Sequence, residues 1–267
     1  MSRINRQQGF TLVELVTVII ILGILAVGAS RFLQFGALIF TEASDRDELI
    51  SSARFAIERL NREVRNAIPN SVYVDNSTGN DCLVFTPILA SSRYIDLPVA
   101  PESKKDAVSL IPFDKSNFAN ADKVVVYPLI ATDLDSASEK NHLFSTLDEN
   151  TGANNPWVLS FSSGVLFETD SPTQRIYFYG SNTSYCVLSH GLYRYEDGAS
   201  RTLMAEHIIN YVDENGIAYS DPDDVIEAFQ VMTPTQTRNS TVQVRLLFGM
   251  NAEKVMFNNE IQIPNVP

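Results

Sequence analysis

Gly9-Phe10-Thr11-Leu12-Val13-Glu14-Leu15-Val16-Thr17-Val18-Ile19-Ile20-Ile21-Leu22-Gly23-Ile24-Leu25-Ala26 is the stretch that decides the architecture. The chain changes character there. Residues 1–9 are polar and carry Arg3 and Arg6, whereas residues 15–30 hold no charge and Arg31 alone interrupts the run to Thr41. Counted from Phe10, the apolar stretch reaches the roughly 20 residues that a bilayer-spanning helix requires. Positive charge before it and an acidic chain after it favour an N-terminus in the cytoplasm and a body outside. Glu14 does not fit a plain anchor. An ionised carboxylate at that depth costs about 2.5–3.5 kcal/mol on insertion scales, so it marks a functional candidate.

Three readings of this segment compete. A secretory signal peptide would be cut after Ala29, where Leu25-Ala26-Val27-Gly28-Ala29 offers small residues. An uncleaved single-pass anchor would keep the whole run. A short leader would be removed between Gly9 and Phe10. The third fits best, because the string Gly9 to Ala26 resembles the type IV pilin motif: short basic leader, Gly, Phe, a glutamate five residues into the mature chain, and the apolar run. The resemblance implies that a prepilin peptidase removes residues 1–9 and methylates the new amine of Phe10. Loss of Arg3 and Arg6 makes the mature chain more acidic still. It also implies a role for Glu14, about one helical turn from that amine, in neutralising the terminal ammonium of a neighbouring subunit. A buried carboxylate that gains such a partner exchanges a desolvation cost for a pair with fixed register.

Helical periodicity continues beyond the apolar run. Leu49, Ala53, Ala56, Ile57, Leu60, Val64 and Ile68 recur at three- and four-residue spacing among Asp45, Asp47, Arg54, Arg59 and Arg62, which is an amphipathic helix. Pro69-Asn70 ends it. Residues 10–67 thus read as one helix of about 85 Å, with Gly23, Gly28 and Gly36 as weak helix formers.

From residue 70 the chain reads as β-rich. Candidate strands at 71–74, 82–86, 108–113, 123–129, 157–161, 175–179, 185–188, 192–195, 207–212, 226–233, 241–248 and 255–263 are separated by Asn, Asp, Ser, Gly and Pro. Asn215-Gly216 is a hairpin signal, and residues 132–155 and 98–105 read as polar surface loops. The expected class is α+β, the type IV pilin fold: a long N-terminal helix with an antiparallel β-sheet globular domain. Its segments are leader 1–9, hydrophobic transmembrane and assembly half-helix 10–40, amphipathic half-helix 41–69, and periplasmic β-rich body 70–267. Phe55-Ala56-Ile57-Glu58-Arg59-Leu60-Asn61-Arg62-Glu63-Val64-Arg65-Asn66-Ala67-Ile68-Pro69-Asn70-Ser71 and the ending Ile261-Gln262-Ile263-Pro264-Asn265-Val266-Pro267 resemble the large minor pilins, the class that includes the J-type pseudopilins of type II secretion.

Composition closes other doors. The 267 residues carry 20 basic and 32 acidic side chains, a formal charge of −12, which repels phosphate backbones and argues against nucleic acid as a partner. Two cysteines and three histidines exclude a Cys-rich zinc module. Cys82 and Cys186 are candidates for a disulfide in an oxidising periplasm, with two separate buried thiols as the alternative. Asp213-Glu214-Asn215-Gly216 and Asp221-Pro222-Asp223-Asp224 hold hard oxygen donors, but neither matches a calcium loop, and turn chemistry explains them. His142, His190 and His207 are far apart with no catalytic motif beside them, and Tyr185, Tyr193, Tyr195 and Tyr211 read as strand packing.

The expectation is therefore a structural subunit: no enzyme, no cofactor, no metal. Its implied partners are other major and minor pilins, the prepilin peptidase, an inner-membrane assembly platform, and membrane lipid before assembly. A J-type pseudopilin of type II secretion and a membrane-tethered adhesin are the rival readings. The adhesin rests on the loop content and the tyrosines.

Overall fold

The computed structural model describes residues 10–77, 81–149, 155–196, 200–213, 215–233, 239–251 and 253–264. It has one long α-helix followed by antiparallel sheets, the α+β class expected from the sequence. The chain divides into two compact units, Met1–Glu48 and Leu49–Pro267.

The helix α1 (Leu12–Arg65) lies within the expected 10–67 span, two residues shorter at each end, and its three glycines do not interrupt it. In the first unit every side chain from residue 10 to residue 44 is exposed, including Ile19, Leu25, Phe32 and Phe40. From residue 49 the same helix buries Leu49, Ala53, Ala56, Leu60 and Val64, and half-buries Ile57. This is the stripe read from the sequence except for Ile68, which lies past the end of the helix and packs in a separate cluster with Val125, Tyr177 and Tyr179. Full burial of Leu49, Leu60 or Val64 is worth about 1.5–3 kcal/mol each, so the second half of α1 is held by packing.

The second unit contains β1 (Tyr73–Asp75), β2 (Cys82–Phe85), β3 (Ala90–Asp96), β4 (Lys105–Leu110), β5 (Lys123–Val126), β6 (Asn141–Leu143), β7 (Thr146–Asp148), β8 (Trp157–Val165), β9 (Arg175–Tyr179), β10 (Thr183–Leu188), β11 (Gly191–Glu196), β12 (Ser200–Ala205), β13 (Phe229–Met232), β14 (Ser240–Met250) and β15 (Glu253–Ile263). A five-stranded sheet, β1-β2-β10-β11-β12, and a three-stranded sheet, β13-β14-β15, share one core with the α1 stripe. Leu83, Phe85, Tyr185, Val187 and Leu192 enter it from the first sheet; Val242, Val244, Leu246, Phe248, Ile261 and Ile263 enter it from the second.

The remaining strands form a separate lobe. The chain leaves the five-stranded sheet after Phe85 and re-enters it at Thr183, the residue paired with Phe85. Between them lies a seven-strand array in the order β6-β5-β9-β3-β4-β8-β7. Its two end strands are joined only by Phe144 and Ser145, whose amides bond the carbonyls of Asp122 and Ser160. Both edges therefore belong to one continuous segment, and the sheet closes on itself as a small antiparallel barrel. Its interior is Tyr94, Val108, Leu110, Val124, Val126, Leu159, Phe161, Ile176 and Phe178. The alternate residues Val125, Tyr177 and Tyr179 face outward and pack on Ile68.

Some sequence expectations need correction. Residues 207–212 are not a strand. His207 has a positive φ of 62°, and Ile208 and Ile209 are both buried, which breaks the two-residue alternation. Fully buried Asn210 then donates to the carbonyls of Ile226 and Arg245 and accepts from the amide of Leu247. Asn215-Gly216 does turn the chain, with Gly216 at φ 81° and Val212 bridged to Ala218. The polar segment 132–155 is not simply loop. It contains β6 and β7, and its Asp133 accepts from Lys140 Nζ at 2.9 Å and from the amides of Leu129 and Ile130 at 2.7 and 3.2 Å. Both charged side chains are nearly buried. β3, β12, β6 and β7 escaped sequence reading because Ala90-Ser91-Ser92-Arg93 and the other short runs are polar on their outer faces.

One ionic cluster ties α1 to the five-stranded sheet. Glu63 Oε2 accepts from Arg194 Nε at 2.9 Å and Tyr185 Oη at 3.0 Å, while Oε1 accepts from Arg59 Nε at 3.0 Å. Burial alone would raise the Glu63 pKa, but the two guanidiniums and the phenol outweigh it and hold it below its ordinary 4.5. Asp133 is likewise depressed: burial opposes ionisation, and the Leu129 and Ile130 amides with Lys140 overcome it. A depressed carboxyl stabilises the fold above its unfolded pKa and loses that contribution as pH falls through the folded value. Glu63→Gln should lower the unfolding free energy by about 1–3 kcal/mol at neutral pH, and the gap from wild type should close as pH drops below 4.5. Chemical unfolding of the detergent-solubilised chain at several pH values reads both.

Cys82 and Cys186 are cross-strand partners on β2 and β10, with α-carbons 4.1 Å apart and their sulfurs bonded. The bond closes a separation of 104 residues that contains the whole barrel. Reduction, or paired replacement by serine, should cost up to about 4.7 kcal/mol on the chain-entropy account, measured as a shift of the unfolding midpoint.

Candidate functional site

The segment singled out by the sequence lies at the start of α1. Gly9 lies outside the described residues. Phe10 precedes the helix and is 79% exposed. Thr11 is the N-cap and Glu14 the third helical residue, and the two form a reciprocal capping box. The Glu14 amide donates to Thr11 Oγ1 at 3.3 Å, while the Thr11 amide and hydroxyl donate to Glu14 Oε2 at 3.2 and 3.0 Å. Glu14 Oε1 has no partner among the described residues. The carboxylate also stands where the helix dipole is positive, a favourable place for an anion.

The arrangement gives Glu14 two capacities. Through Oε2 it satisfies helix donors that would otherwise be unpaired, and through Oε1 it presents a lone acceptor one turn from Phe10. Thr11 was not singled out by the sequence reading, although Thr-Leu-Val-Glu has the spacing of a capping box. Downstream of it, α1 is long and apolar enough to cross a membrane.

The other candidates serve the fold. Tyr185 binds Glu63, and the Tyr211 hydroxyl donates to Asp81 and accepts from the Ala228 amide. Tyr193 lies under Arg201 at 4.5 Å, and Tyr195 is half-buried in β11. Asp213 Oδ1 accepts from the amides of Asn215 and Ile217, and Asp221 Oδ1 from that of Asp223, so both acids are turn caps; Glu214 lies outside the described residues. No cluster of three or more metal-binding side chains occurs among the described residues.

His142 sits against Phe161 and Phe167 in the barrel, where burial pushes its pKa down. His190 and His207, distant in sequence, line one open cleft with Ser189, Tyr193 and Glu206. Among the described residues no hydrogen bond links either imidazole to Ser189 or Glu206.

If the capping box holds the first turn of α1, Thr11→Ala should release it. A loss of about 1 kcal/mol corresponds to roughly fivefold faster amide exchange at the first turn in micelles, with the body's exchange unchanged.

Residues 4–30, which include Gly9, Phe10 and Glu14, match the family described as the prokaryotic N-terminal methylation motif. No curated protein and no solved structure matches the chain. The motif implies processing by a prepilin peptidase and assembly with other pilins, and it points to a structural subunit rather than an enzyme. The apolar N-terminal helix fits a single-pass membrane anchor. Matched motif, long helix and antiparallel sheets together support a type IV pilin or pseudopilin.

Proposed function

We propose that the chain is a minor type IV pilin. It is held in the inner membrane by α1 with its body in the periplasm, cut between Gly9 and Phe10, methylated on Phe10 and built into a pilus at or near the tip. The observation that carries this reading is the match over residues 4–30 on a helix whose first half is apolar and exposed throughout. A rod of that kind is stable only in lipid or against other apolar rods. Glu14 supplies the register. Extraction from the membrane leaves its carboxylate in an apolar bundle, where the Phe10 ammonium of the adjacent subunit is the group able to pair with it through Oε1. The size of the β body, larger than that of a typical major pilin, supports a minor subunit.

A J-type pseudopilin capping a periplasmic secretion fibre uses the same leader and helix, and the resemblance of residues 55–71 to the large minor pilins supports it equally. Within that class the helix end and last strand resemble the mannose-sensitive haemagglutinin pilus biogenesis protein O, and the proposal is made at the level of the class. Deletion separates the two machines: a pilus subunit affects surface fibres and attachment, a pseudopilin affects release of exoproteins.

Intact-mass analysis of the assembled protein should give a chain that begins at N-methyl-Phe10. Fibres containing a chain that begins at Ser30, or that retains Arg3 and Arg6, would overturn the reading. Glu14→Ala should insert in the membrane at normal levels and fall at least tenfold in the fibre fraction, as read by immunoblot of sheared fibres.

A further inference from the structure

The crease where the barrel meets the five-stranded sheet is a cleft of about 530 Å3, within the range of about 300–1,000 Å3 typical of small-molecule sites. One wall is Tyr73 and Asp75 of β1. The other is Lys123, where β5 begins, and Asp135, which follows the short helical turn Ala131–Leu134. The chain crosses between the walls at residues 180–182. Gly180 is required there, because a Cβ would collide with the carbonyl of Asn120. Asn182 is anchored through its Oδ1, which accepts from Thr86 Oγ1 at 2.8 Å.

The crease holds many polar groups that the fold does not use. Among the described residues, Asp135 makes no side-chain bond, Asn182 Nδ2 has no partner, and Lys123 has no carboxylate partner. The Lys123 ammonium rests 5.8 Å from the centre of the Tyr179 ring. Asp75 accepts from the Ser77 amide at Oδ1 and also bonds the Ser77 hydroxyl, and as a carboxylate it keeps further acceptor capacity. Ser136, Ser181 and Ser184 add hydroxyls. Tyr73 is 41% exposed. Its phenol is pushed up in pKa by burial and by the fields of Asp75 and Asp135, so both carboxylates bear on it.

The chemistry narrows the occupant. An apolar ligand finds little surface beyond Val84, Ala131 and Leu134, and would strand the polar groups. A phosphate or other anion meets two carboxylates against one ammonium. A metal ion meets too few ligands. What remains is a molecule that offers hydroxyls as both donor and acceptor in dense array, with a flat C–H face for an aromatic ring. Carboxylates accept from such hydroxyls, and ammonium and amide donate to them. We propose that this crease is a saccharide-binding site for a neutral or amino-substituted pyranose, with Tyr73 as the stacking face and Asp75, Asp135, Lys123 and Asn182 as the hydroxyl-binding groups. The site belongs to the body and stands or falls independently of the pilin reading.

Saturation-transfer NMR on the full chain in nanodiscs tests it. The probes are the methyl glycosides of glucose, galactose, N-acetylglucosamine and glucosamine, with N-acetylneuraminic acid as the anionic arm. At least one neutral or amino pyranoside should bind saturably and the anionic sugar at least tenfold more weakly. Tyr73→Ala and Asp135→Asn should each weaken binding at least fivefold while leaving the melting midpoint unchanged, and Lys123→Gln serves if either fails to fold. Repeating the titration with a pyranoside displayed on a polymer distinguishes a free sugar from a glycan chain end as the source: equal or tighter binding assigns the chain end, and loss of binding assigns the free sugar. No saturable binding across the panel, preference for the anionic sugar, or variants that bind as wild type overturns the proposal.

Discussion

The stripe Leu49, Ala53, Ala56, Leu60 and Val64 is the constraint on which the rest of the body depends. It gives one face of α1 to a core shared with two sheets, and among the described residues there is no other α-helix to cover them. Before residue 45 the same helix buries nothing. A single continuous element therefore carries two patterns, apolar residues on all faces along one stretch and a single buried stripe along the other. The Glu63 cluster adds direction to this packing, because a carboxylate held by two guanidiniums and a phenol is satisfied in one register only.

The body is layered by insertion. β2 and β10 are adjacent strands of one sheet, yet nearly a hundred residues of closed barrel lie between them, and the Cys82–Cys186 bond spans the same neck. Placing a closed barrel on a hairpin solves two problems together. Barrel closure removes free strand edges that would otherwise invite pairing with other chains, and the lobe acquires its own core of Phe, Val, Ile and Leu side chains. The outward Tyr177 and Tyr179 then pack on Ile68, which fixes the lobe against the end of α1 and creates the polar crease beside it.

At the N-terminus, Glu14, the residue proposed to act in assembly, is also half of the helix cap. Thr11 and Glu14 satisfy each other and the exposed amides of the first turn. A carboxylate that would be costly in lipid thus has a local use before any neighbour arrives. Its remaining oxygen is the one that the proposed assembly role of Glu14 would use.

Most of the helix was legible in the sequence, and the reason is its period. The positions from Leu49 to Val64 repeat at the helical spacing, and local repetition needs no knowledge of partners. The apolar run and the lone Glu14 within it stood out because each departs sharply from its surroundings in charge or polarity. Strands such as β9 and β14, dense in β-branched and aromatic residues, were legible too. The barrel was not: its closure depends on Phe144 and Ser145 passing from one partner strand to another, and pairing between distant segments leaves no local signature. Asp133 and Lys140 looked like a solvated loop because a charge in a polar run reveals nothing about the partner it will meet. The linear chain thus determined where the molecule is apolar and with what period. Only tertiary contact decided which polar groups would be consumed by the fold and which, like Asp135 and Lys123, would be left without an ionic partner among the described residues, because hydrogen bonding is settled by proximity in space.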